Sequence, residues 1–292
     1  MKPSPTPADA KVGICIATYG SVPYVHLGLE ALHRHENMLI QGYEHGTLRL
    51  LVHDDSSPDQ EALKRLCADY LVAPDFVSTV SRRVPTIGDT SAFVEALKWA
   101  EREGLDVVVK CSRRMILNKP WVAGLVELMH NTGYATASGA CAWYRFGFRS
   151  ELVAMHVRSW IDSGACAEME ACVRENRQPD PLPEAWLHHR ARDVHRFVHP
   201  TVESASHMQD VNHPDCDMLV RYEQAYVRSD HKEAFADWAL MGLSRRDRVP
   251  GVLWHDIDTP AEYAALSAEF GLPYTADQFE IRADHNCGKR DA

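Results

Sequence analysis

Three short segments carry residue types that could do chemistry together: Ala17-Thr18-Tyr19-Gly20, His53-Asp54-Asp55-Ser56-Ser57 and Cys111-Ser112-Arg113-Arg114. Small and hydroxyl side chains beside a glycine let a ligand come close to the backbone. Paired aspartates could accept hydrogen bonds from a base or a ribose. Adjacent arginines present forked donors that suit phosphate oxygens and could neutralise a diphosphate. Each segment also has an ordinary reading. The aspartates and serines could be a turn and a helix cap, and the arginines a solvated surface pair.

All three segments follow apolar runs of strand length, which gives them a common address. Lys11–Thr18 (KVGICIAT) is a β-branched run, Thr47–His53 (TLRLLVH) a second strand, and Leu105–Lys110 (LDVVVK) is continuous in apolar character, as a central parallel strand should be. Between them, Val22–His35 places Val25, Leu29 and Leu32 on one helical face. Ser57-Pro58-Asp59-Gln60 reads as a helix start with Ser57 as N-cap. Leu63, Leu66, Cys67 and Tyr70 form that helix's apolar side. Phe76–Val80 reads as a short strand. A helix from about Thr90 to Arg102 turns Phe93, Leu97 and Ala100 inward and stops at Gly104. Trp121–His130 is expected to be helical and Tyr134–Ala142 a strand.

Alternating strands and helices predict an α/β fold, a mainly parallel sheet flanked by helices. In such a sheet, ligands bind at the carboxyl ends of the strands, where the three segments emerge. Periodicity weakens after about residue 150. Pro179–Pro183 breaks the chain before a helix holding Trp186, His188 and His189, and Thr259-Pro260-Ala261-Glu262 is a capping box opening a helix that ends at Gly271. A helix- and loop-rich C-terminal elaboration with one or two further strands is expected. The organisation predicted is a leader at 1–10, a ligand-binding half at 11–145, a second half of the same domain at 146–282 and a tail at 283–292.

Composition narrows the function classes. The 292 residues carry a formal net charge of −10 and are 45% apolar, enough for a sizeable core and unlike a general nucleic-acid binder. A polyanionic ligand must then be met by a local basic cluster. No transmembrane or signal segment is read, so a cytoplasmic location is expected. Eight cysteines without a CxxC pair read as reduced, buried thiols. His195 and His199 would share a helical face, a spacing that permits a metal. No acidic partner accompanies them, so an ordinary structural role is preferred.

The series ICIATYG, LLVHDDSSPD, IGDTSAFVEAL and LDVVVKCSRRMILNKPW resembles the family 2 glycosyltransferases of the A-type (GT-A) fold, a Rossmann-like nucleotide-binding architecture. The resemblance covers roughly residues 11–140 and rests on order and spacing as much as on identities. It implies Thr18, Tyr19 and Asp54 or Asp55 as nucleoside contacts, with Gly88 and Asp89 at the helix start under the nucleotide. Family members normally place an acidic DXD motif after the fourth strand to hold a divalent metal against the diphosphate. Here that segment reads Ser112-Arg113-Arg114, so guanidinium groups would offset the leaving charge without a metal.

The resemblance further implies an inverting transfer with a carboxylate base. His213-Pro-Asp215-Cys-Asp217 is the best match, with Asp217 preferred and Asp215 second, although either could merely cap a helix. A late histidine, His255, would lie near the diphosphate or acceptor. The function implied is transfer of a sugar from a UDP- or GDP-type donor to a carbohydrate or other hydroxyl acceptor. No separate cofactor, no site metal and no nucleic-acid partner is expected. The alternative is a GT-A fold repurposed as a nucleotide-binding or partner module. A third reading starts from Asp256-Ile257-Asp258-Thr259-Pro260, which is similar to a segment of sugar-nucleotide nucleotidyltransferases. Tyr19-Gly20-Ser21-Val22 lacks the glycine- and lysine/arginine-rich loop those enzymes carry.

Overall fold

The computed structural model describes residues 9–19, 22–35, 42, 45–81, 85–113, 116, 122, 123, 126, 129, 130, 135–138, 152–177, 197, 198 and 259–279. The strands are β1 (Val12–Thr18), β2 (Leu48–Asp54), β3 (Asp75–Ser78), β4 (Val107–Ser112), β5 (Thr136–Ser138), β6 (Leu152–His156) and β7 (Phe197–Val198). The helices are α1 (Val22–His35), α2 (Gln60–Ala68), α3 (Pro85–Arg102), α4 (Val157–Asp162), α5 (Ala165–Arg174) and α6 (Pro260–Glu269), followed by a 3₁₀ turn at Ala276–Phe279. The strands form one sheet in the order β3-β2-β1-β4-β6-β5-β7. Four of its six pairings are parallel, and β6 runs antiparallel to both of its neighbours.

The expected α/β architecture is therefore present, with one feature the periodicity did not reveal. β6, from the second half of the chain, inserts between β4 and β5. Helix α4 follows β6 without an intervening residue and α5 soon after, which returns the chain onto α3.

Side-chain alternation sends the two strand faces into two cores. On one face, Cys15, Leu51, Val108 and Met155 meet Phe93, Leu97 and Trp99 of α3, together with Trp160 and Met169. The indole N–H groups, which would be costly to bury unpaired, are both satisfied: Trp99 donates to Asp75 at 2.8 Å and Trp160 to Thr136 at 2.9 Å. Truncating either tryptophan to alanine would cost about 3–5 kcal/mol. On the other face, Tyr24, Leu27 and Ala31 of α1 pack with Ile116 and with Tyr263, Leu266, Phe270 and Phe279 from the C-terminal segment. The Thr259 capping box is formed, with Thr259 and Glu262 exchanging side-chain-to-backbone hydrogen bonds, and Gly271 adopts the left-handed conformation (φ +77°) after the helix.

Several boundaries differ from expectation. α3 begins at Pro85 rather than near Thr90, so Gly88 and Asp89 lie inside the helix. Proline suits a first helical turn because the N–H it lacks has no intrahelical partner there. Both β2 and β4 run further than expected, bringing Asp54, Cys111 and Ser112 into strands. Ser57 does not cap α2. The N-cap is Asp59, without a side-chain bond, and the Ser57 hydroxyl is given to Asp54 instead.

Candidate functional site

The carboxyl ends of the parallel strands lie side by side. Thr18 is in register with Asp54, Asp54 with Ser78, and Ala17 with Ser112. Arg113 continues β4 by one residue, its N–H donating to the Ala17 carbonyl at 3.0 Å. Alternation puts Ser78, Asp54, Thr18 and Arg113 on the α1 face of this edge, and Asp55, Ser112 and the start of α3 on the other.

The two aspartates do different things. Asp54 is fully buried, and its carboxylate is engaged by its own chain. It accepts from the Ser57 N–H at 2.9 Å, from the Ser57 hydroxyl and from the Ser78 hydroxyl at 3.0 Å. These bonds tie the loop after β2 to β2 and β3. Asp55 accepts from the Thr79 hydroxyl at 3.1 Å, and its other oxygen lies 2.6 Å from where a β-carbon on Gly88 would stand. A side chain at 88 would have to displace that carboxylate. Resemblance left open whether Asp54 or Asp55 contacts the ligand. Both are engaged by their own chain, Asp54 with Ser57 and Ser78 and Asp55 with Thr79.

Thr18 is buried, and among the described residues its hydroxyl has no hydrogen-bond partner. Such a group is expensive unless something polar meets it. Tyr19, next along, is half-buried. Arg113 places its guanidinium 5.6 Å from the centre of the Tyr24 ring, within cation–π range. Tyr24 is itself held by its hydroxyl donating to the Phe279 carbonyl at 3.0 Å and by edge contacts with Tyr263 and Phe279.

Beneath the edge on the α3 face lies a polar group that reading the chain missed. Lys110 is fully buried in central strand β4, paired with Asp89 of α3, its ammonium 4.8 Å from the Phe93 ring. Its only signal was a lone cation ending the apolar run LDVVVK. His53 Nε2 and Ser91 Oγ lie 3.5 Å apart in the same layer. Burial pushes the Cys15 thiol up to about 12, although Lys110 pulls the other way, and burial raises Cys111 as well, which favours the protonated thiols. A cleft of about 430 Å³ flanks the β3 edge between α3 and α5, lined in part by Ser78, Thr79, Ser91, Glu95 and Glu170.

Thr18, Tyr19, Asp54, Asp55, Gly88, Asp89, Ser112 and Arg113 are thus brought to one edge of the sheet. Arg114, Asp215, Asp217 and His255 lie outside the described residues, as do His188, His189, His195 and His199. Ser78, Thr79, Tyr24 and Lys110 join the site unannounced. No three His, Cys, Asp or Glu side chains cluster as a metal site among the described residues. At the carboxyl end of β4 stand Ser112 and Arg113, and a guanidinium is not a metal ligand. Among the described residues no helix is long and apolar enough to cross a membrane.

No protein-family model matches the chain, and no curated protein matches it. Solved structures resembling it include the glycosyltransferase GlyE of Streptococcus pneumoniae TIGR4, at 14% identity and a TM-score of 0.43, covering 65% of this chain and 45% of that one. The chain therefore spans less than half of GlyE. Another is S. aureus TarS 1-349 in complex with UDP-GlcNAc, at 12% identity and a TM-score of 0.44, covering 79% of this chain and 71% of that one.

Proposed function

We propose that this chain is a GT-A glycosyltransferase that binds a nucleoside diphosphate sugar at the carboxyl edge of β1, β2 and β4 and passes the sugar, with inversion, to a hydroxyl acceptor. The observation that carries the reading is Thr18. A buried hydroxyl without a partner among the described residues lies in one row with Asp54 and Arg113, at the edge where parallel sheets take ligands. Thr18 and Tyr19 would meet the nucleoside, with Asp55 accepting from ribose or base and Gly88 keeping the floor low enough for it. Ser112 and Arg113, with Arg114, would meet the diphosphate.

Charge development on a departing diphosphate must be offset, and a preorganised cation does this best when little reorganisation is needed. Tyr24 holds Arg113 in that state. Arginine then takes the place of a metal in the donor half of the reaction. Asp217, with Asp215 as second choice, is proposed as the base that removes the acceptor hydroxyl proton while the sugar carbon is attacked from the face opposite the leaving diphosphate.

Titration calorimetry with UDP and GDP, each with Mn²⁺ and again with EDTA, tests the donor reading. Micromolar binding unchanged by EDTA is expected, and the preferred base identifies the donor. Binding that requires Mn²⁺ would remove the arginine-for-metal assignment. Binding without turnover of any donor would favour a repurposed binding module. Asp217→Asn should spare donor binding and abolish transfer, and unchanged turnover would take Asp217 out of the mechanism.

A further inference from the structure

The Lys110–Asp89 pair asks for an explanation beyond packing. β4 is the centre of the sheet, and Val107, Val108 and Val109 fill it with apolar side chains before the chain spends a fully buried ammonium at 110. An apolar pair of similar volume commonly stabilises a core as well as or better than a buried ion pair. The pair also sits one residue short of the row that ends in Cys111, Ser112 and Arg113, and Asp89 is the partly exposed member, at 28% against 0% for Lys110. Asp89 belongs to the first turns of α3, one residue beyond the glycine that abuts Asp55.

A carboxylate at this place poses a conflict. The N-terminus of a helix favours anions, and the proposed ligand carries a diphosphate. An uncompensated Asp89 would add a negative charge beside it and repel it. Lys110 removes that charge from below, bonding the carboxylate through Oδ1. Oδ2 is then available as a neutralised acceptor.

We infer that Lys110 is a positioning residue for donor binding: it holds Asp89 and cancels its charge, so that Asp89 accepts a hydroxyl of the ribose or sugar beside an anionic diphosphate. The inference rests on the proposed donor reading. In this reading Lys110 acts on the ligand through Asp89. The substrate element recognised at Asp89 is a neutral hydroxyl, not a phosphate.

The test is a cycle of Lys110→Met, Asp89→Asn and the double variant Lys110→Met/Asp89→Asn. Binding of nucleoside diphosphate and of the phosphate-free nucleoside is measured by calorimetry, with thermal midpoints taken alongside. Lys110→Met should weaken diphosphate binding about tenfold or more, by exposing the ligand to the uncancelled carboxylate, and should weaken nucleoside binding much less. The double variant, which restores neutrality, should bind the diphosphate better than Lys110→Met does. A lowered thermal midpoint with wild-type diphosphate affinity in Lys110→Met would make the pair structural only and overturn the inference. If Lys110→Met does not fold, the double variant Lys110→Met/Asp89→Leu decides, because it buries no uncompensated charge and also removes the acceptor. Wild-type affinity for both ligands in it would overturn the inference, and weakened nucleoside binding would uphold the hydroxyl contact. Failure of the wild-type protein to bind any nucleotide would instead sink the donor reading itself, which keeps the two failures apart.

Discussion

Asp55 and Gly88 share a space that admits only one side chain: the Asp55 carboxylate lies 2.6 Å from the position a Gly88 β-carbon would take. The loop after β2 and the start of α3 are thereby held in fixed relation. Gly88→Ala should push Asp55 from its place and lower both stability, by about 1–3 kcal/mol, and donor affinity. Denaturant unfolding and nucleotide titration check the two effects. Wild-type affinity in Gly88→Ala would show that Asp55 does not contact the ligand from this position.

Asp54 acts as a clasp. Asp54→Asn replaces one acceptor oxygen with a donor that faces the Ser57 and Ser78 groups, and should cost about 1–3 kcal/mol in urea unfolding. Asp55→Asn should cost less stability and more nucleotide affinity. The opposite ranking would return Asp54 to the ligand.

Arg113→Ala should weaken UDP or GDP binding by roughly tenfold to a hundredfold and flatten its salt dependence, because a charge-assisted contact is lost. Arg113→Lys should restore the salt slope but only part of the affinity, since an ammonium cannot fork across two phosphate oxygens. The same calorimetric series at two salt concentrations measures both.

His26 of α1 shares a 2.8 Å hydrogen bond with the Tyr274 hydroxyl of the C-terminal segment and packs edge-on against Tyr70 and Tyr274. Desolvation lowers its pKa below the ordinary 6.5, with Glu30 acting in the opposite direction. The folded pKa is therefore the lower one, and the unfolded chain takes up the proton first. Stability from neutral His26 is complete above about pH 6.5 and is lost as pH falls through that value toward the folded pKa. His26→Gln should flatten the dependence of the thermal midpoint on pH below about 6.5 relative to wild type. Parallel curves would mean that His26 does not titrate with folding.

Much of the first half was legible because local rules decide it. Apolar runs bounded by polar loops located β1, β2 and β4, and the inward residues Phe93, Leu97 and Ala100 followed from helical spacing alone. Thr259 and Glu262 formed the expected cap because a capping box is complete within four residues. The hidden features depend on residues far apart in sequence. Ser57 looked like a helix cap, yet its hydroxyl belongs to Asp54, because the Asp54 carboxylate, buried against β3, offers a stronger acceptor. Lys110 looked like the polar end of a strand, and the Asp89 that pairs with its buried ammonium is brought over by α3. The antiparallel β6 has too short a pattern to announce its partners. Tyr24 meets Arg113 and Phe279, the latter 255 residues along the chain, so no local pattern marks it.

The insertion of β6 between β4 and β5 also has a consequence for synthesis and refolding. Residues up to Ser112 can form β1 to β4, but β5 has no partner and the open flank of β4 is not sealed until Leu152–His156 arrives and pairs from Val107↔His156 to Cys111↔Leu152. A truncated chain ending near 145 would leave the Val-Val-Val strand β4 as the unpaired edge of its sheet, a template for intermolecular strand addition. Such a fragment should precipitate even though it holds most of the proposed donor residues. Closure of β4 against β6 is a long-range step that should pace folding and separate it from aggregation.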